Sequence, residues 1–186
     1  MNLMPIRRNK PLLLLTVAML AFACTGAAQD KPAAPVSGAP ETAAAGGPSG
    51  QAFSDLADQA LQAMRERAET LKIKGVALVA YVPGNDVNAW SSKMLVVGQM
   101  TTLTTSTNDP GSNLLGIAYA KAAEMAATLK PSGGAGRPPM KGELGWQGGW
   151  IAKGKNGWLI GAFSGGRSDQ DVQVSKTGVA VLAGAL

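Results

Sequence analysis

The chain has 186 residues, one cysteine and no histidine, with 17 basic against 12 acidic side chains. A single cysteine excludes an intrachain disulfide, and the missing histidine removes the commonest general base and metal ligand. This length allows one ordinary domain plus extensions.

The extension comes first. Arg7, Arg8 and Lys10 form a positive start, and residues 11–23 (PLLLLTVAMLAFA) follow without a charge. That run suits the apolar core of a signal peptide and is shorter than the roughly 20 residues a transmembrane helix needs. Ala21-Phe22-Ala23 permits cleavage before Cys24, so residues 1–23 read as an export signal. Cys24 stands where a lipoprotein carries its acylated residue, although Phe22 departs from that pattern. The alternative is an incidental cysteine at the mature N-terminus. Removing the signal leaves 14 basic against 12 acidic residues. Those charges are scattered, so nucleic acid is not an expected partner.

Residues 24–50 are mostly Ala, Pro and Gly, and they have too little apolar surface to offset the entropy of ordering. They read as a disordered linker, either a tether or a remnant of export. Residues 51–186 then form one domain. Phe53, Leu56, Ala57, Ala60, Leu61, Met64, Ala68 and Leu71 recur at helical spacing, with Ser54 or Asp55 as the cap and Gly75 as the end. Val76–Val82 is a β-rich run, residues 83–86 are a turn, and a second extended run covers 87–100. Thr101–Thr107 reads as strand or loop. A helix is expected over 113–130, stopped by Pro131, with its small alanines implying close packing. Trp150–Lys153 and Trp158–Phe163 are strands joined by the Lys155-Asn156-Gly157 turn. After Ser164-Gly165-Gly166, Ser168 with Asp171 resembles an acidic capping box for a helix that runs to Leu186. The order helix–hairpin–helix–hairpin–helix predicts an α+β fold, an antiparallel sheet flanked by helices.

The Ser164-Gly165-Gly166 bend before a helix is either an anion site or a turn that needs glycine for its backbone. Ser164 is a poor nucleophile candidate, because no histidine exists to activate it. No catalytic set stands out. Trp146, Trp150 and Trp158 fall close together and suit a ligand pocket, an oligomer interface or the core.

The C-terminal segment resembles the GlcG/HbpS-like (haem-degrading domain) family. The resemblance rests on Gly148-Gly149, on residues 161–166 (GAFSGG), on residues 168–171 (SDQD), and on Ala118-Tyr119-Ala120-Lys121-Ala122 as the family's A-x-x-K-A helix. It implies a profilin-like sandwich, assembly into homo-oligomers and haem binding in secreted members. The ligand-binding residues it points to are Tyr119, Lys121, Arg137, Met140, Gly148, Gly149, Ser164, Gly165 and Gly166. Lys121, Arg137 and Lys141 would pair with propionates, or are simply solvated cations. Met94, Met100, Met125, Met140, Tyr81 and Tyr119 are what remains for an axial ligand. The expected function is an exported, non-catalytic binding module for haem or a related small apolar anion. The alternatives are an envelope protein that only assembles and a haem-degrading enzyme.

Overall fold

The computed structural model describes residues 50–104 and 106–186. The export signal, Cys24 and nearly all of the linker lie outside the described residues.

Helix α1 spans Gly50–Thr70, so it starts inside the expected linker. Ser54 and Asp55 therefore lie within the helix and do not cap it. Lys93 Nζ reaches from the sheet to Ser54 (3.2 Å) and Asp58 (2.6 Å). The helix ends well before Gly75. Lys72 adopts a left-handed φ of 55°, and the Lys72 and Ile73 N–H groups bond back to Glu69 and Ala68. This is a Schellman closure achieved without glycine.

Strand β1 (Gly75–Pro83) pairs antiparallel with β2 (Ser91–Val97). The second extended run is thus shorter than expected, with residues 84–90 in the turn. Thr101–Thr102 (β3) pairs with Ser112–Asn113 (β4) as a small separate sheet. Helix α2 spans Leu114–Thr128, and the Asn113 side chain accepts the Gly116 N–H at its start. It stops at Leu129, which turns left-handed (φ 53°), before Pro131 is reached. Strands β5 (Gly149–Lys153) and β6 (Gly157–Ser164) form the second hairpin. Helix α3 spans Ser168–Ala183.

The main sheet is antiparallel throughout, in the order β2-β1-β6-β5. This is the expected mixed fold, an antiparallel sheet flanked by helices. Strand alternation splits the core between two faces. Ala77, Val79, Tyr81, Leu159 and Phe163 pack under α1 and α3, whereas Val76, Leu78, Ala80, Ile160 and Ala162 pack under α2. Both central strands are therefore buried on both sides, which explains their continuous apolar sequences. Each fully buried large side chain here contributes about 1.5–3 kcal/mol.

Small residues set the layer spacing. A Cβ at Gly161 would collide with the Ser175 carbonyl, and one at Gly178 with Met64. On the other face Ala118, Ala122 and Ala126 bring α2 close to the sheet, as the alanines implied. Among the described residues no helix is long and apolar enough to cross a membrane.

Candidate functional site

The site forms where β6 runs out and α3 begins. Gly165 has φ 146° and passes so close to Lys74 and Gly75 that any Cβ would overlap their backbone. Arg167 caps α3, and its N–H is taken by the Gln170 side chain at 3.1 Å. Gln170 thus supplies one half of a capping box to the Arg167 N–H, and Ser168 with Asp171 forms none.

Asp171 turns inward. Its Oδ1 accepts the Gly166 N–H at 2.8 Å, and its Oδ2 accepts Lys121 Nζ at 2.9 Å. Lys121 also donates to the Phe163 carbonyl at 2.7 Å. The pair is almost sealed, with side chains 3% and 5% exposed. Burial pushes the Asp171 carboxyl up, opposed by Lys121 and by the Gly166 and Gly165 N–H groups. Gly148 makes this crossing feasible, because a Cβ there would strike Lys121 Nζ and Asp171. The Gly148 carbonyl also accepts the Ser175 hydroxyl at 2.6 Å.

Above the pair is a cavity of about 220 Å³. Leu114, Ile117 and Trp146 supply its apolar wall; Ser112, Gln147, Ser164 and Ser168 supply polar groups. Ser164 is only 3% exposed, and its hydroxyl has no hydrogen-bond partner among the described residues. Trp146, by contrast, is 52% exposed.

The structure brings Lys121, Ser164, Gly165 and Gly166 together here, with Gly148 beside Lys121. Lys121 is neither a solvated cation nor a free one. Gly149 is buried next to Met125, its N–H bonded to Ser132 Oγ at 2.8 Å. Tyr119 does not line the cavity. It lies against Trp90, 6.5 Å between ring centres, with its hydroxyl 3.4 Å from that of Ser92. Arg137 and Met140 sit in the 131–147 loop, also outside the cavity lining. The Arg137 fork holds Glu143 at 2.8 and 2.9 Å, and Met140 is exposed with its N–H on the same carboxylate. The three tryptophans do not share a pocket either. Trp150 packs on the α3 side under Lys176, and Trp158 on the α2 side under Lys153.

Asp171, Gln147 and Ser168 were not among the expected ligand-binding residues. A signal for the ion pair was present: Lys121 falls within the stripe Leu114, Ala118, Ala122, Met125, where a charge demands a buried partner.

A second, larger groove of about 460 Å³ lies between the 84–90 turn and α2, lined by Val87, Trp90, Ala123, Ala126 and neighbours. The two openings differ in what they offer a ligand. The cavity is smaller than the roughly 300–1,000 Å³ of pockets for drug-sized ligands, and its lysine already holds Asp171. The groove's lining offers no histidine, cysteine, methionine or tyrosine to the iron.

No family model, curated protein or solved structure matches this chain.

Proposed function

We propose that this chain is an exported, non-catalytic binding module whose ligand occupies the cavity over the Lys121–Asp171 pair. One observation carries the reading: the hydroxyl of Ser164 faces that cavity without a protein partner. The residue is buried but its hydroxyl is not sealed from solvent, so a ligand entering the cavity can take the hydrogen bond that water otherwise makes. The export signal and the family resemblance support a sensing or scavenging role outside the cytoplasm. With Cys24 acylated, the module would be held at a membrane.

The test is Ser164→Ala. For a hydroxyl that serves a ligand, the variant keeps or gains stability when unliganded, and loses any small molecule that co-purifies with the native protein. A stability loss above about 1 kcal/mol in urea would assign the hydroxyl to the fold instead. Haemin belongs in the same series, because the resemblance implies it. A saturable Soret shift abolished by Ser164→Ala would restore haem as the ligand.

The alternative is an envelope protein that works by self-assembly. It is favoured by the placement of exposed apolar side chains. Met100 and Leu103 flank β3, Met140, Leu144 and Trp146 stand on the 131–147 loop, and Ser112 of β4 and Trp146 both line the same cavity. Leu103 is 86% exposed. Native mass measurements on wild type and Leu103→Ser would show an oligomer that the substitution dissociates.

A further inference from the structure

We infer that the ligand class of this cavity is a neutral sugar ring. The inference rests on the cavity being a binding site, as proposed above, and concerns what chemistry it accepts.

The argument begins with charge. An anion would need an uncommitted cation or free N–H groups. Lys121 is matched by Asp171 at 2.9 Å, which leaves the floor neutral overall. At the bend before α3 the Gly166 and Gly165 N–H groups are taken by Asp171 and the Arg167 N–H by Gln170. Asp169 and Asp171 add negative charge to the first turn of the helix. Asp171 occupies the position an incoming carboxylate or phosphate would want, and repels a second negative charge beside it. A cation would meet the Lys121 ammonium.

Hydrogen-bonding capacity nevertheless remains. Ammonium has three protons, and Lys121 uses two, on Phe163 O and Asp171. The hydroxyls of Ser164 and Ser168 and the Gln147 amide have no partners among the described residues, and all three line the cavity. These groups both donate and accept, as the hydroxyls of a sugar do.

The apolar wall completes the match. Trp146 is half exposed at the cavity, with Leu114 and Ile117 beside it. One face of a pyranose carries mainly C–H groups and stacks on an indole, while its rim hydroxyls turn to polar partners. The volume of about 220 Å³ corresponds to roughly seven waters' share of liquid, enough for a single ring.

The experiment is a backbone and indole ¹⁵N NMR titration of the wild-type domain with glucose, galactose and N-acetylglucosamine in turn. Acetate, phosphate and haemin are run in parallel. The expected result is saturable shifts at millimolar sugar, confined to Trp146, Gln147 and residues 164–168 and insensitive to added salt. Trp146→Ala and Ser164→Ala should each weaken binding about tenfold, with otherwise unchanged spectra. Shifts at these residues with an anion but with none of the sugars would overturn the sugar assignment while leaving the module reading intact. No shift there with any probe would overturn both.

Discussion

Lys121 Nζ and Asp171 Oδ2 lie 2.9 Å apart, yet their helices pack on opposite faces of the sheet. The lysine reaches past Gly148, just before β5 begins, to meet α3. One buried ion pair therefore bolts the two helical layers together. Removing one partner strands a charge in the interior. Lys121→Met or Asp171→Asn should each cost about 3–5 kcal/mol in urea denaturation, whereas Lys121→Met with Asp171→Leu should recover most of that loss. Equal losses in all three variants would show that the pair contributes shape, not charge.

Gly148 gives a second test of the same crossing. Gly148→Ala must fit a Cβ against Lys121 Nζ and adopt φ 136°, so it should destabilise by about 1–3 kcal/mol or more. Part of that cost is the clash, and the shorter Lys121→Met side chain relieves it. A double-mutant cycle should show favourable coupling of about 0.5 kcal/mol or more between the two sites. Strict additivity would place the whole cost in the backbone.

The two perturbed carboxyls should shape acid stability with opposite signs. Hydrogen bonds from Arg137, then from the Met140 N–H, hold Glu143 down at about 2 against an ordinary 4.5. Its contribution to the order of the 131–147 loop is therefore full above pH 4.5 and lost as pH falls toward about 2. Asp171 is raised above 3.8 by burial, so the native state binds its proton more tightly than the unfolded chain. Its contribution is full below that value and declines as pH rises through the folded pKa. Amide exchange in the loop for Glu143→Gln, and urea midpoints against pH for Asp171→Asn, should each lose the corresponding dependence.

Phe163 is fully buried under α1 and α3, and its carbonyl receives Lys121. Phe163→Ala should cost about 3–5 kcal/mol through the cavity it opens. Phe163→Leu, which keeps the backbone bond and most of the volume, should cost clearly less in thermal or urea unfolding.

The sheet was legible because β1 and β6 are buried on both faces and read as unbroken apolar runs between turns. The layering was legible in the alanines of α2. Helix ends were not, since Lys72 and Leu129 adopt left-handed backbone that their side chains do not advertise. The ion pair joins residues fifty positions apart, and local periodicity marks only that Lys121 sits where an apolar residue belongs. The 131–147 loop owes its form to the Arg137–Glu143 fork and to glycines with positive φ, at 133, 136, 142 and 145. No repeating pattern announces such a shape, so Arg137 and Met140 were expected at a site they do not line. Trp146, Trp150 and Trp158 were separated by strand alternation and by the loop, which closeness in sequence concealed.

The two middle strands of the sheet come from opposite ends of the domain, with Val79 registered against Gly161. During synthesis, β1 must therefore wait for nearly the whole chain before its second neighbour arrives. A chain halted before Gly157 would present a long apolar ribbon with an unsatisfied flank, prone to pairing with other copies. Until residues 157–164 are made, residues 75–83 remain the apolar segment with most to gain from a substitute neighbour.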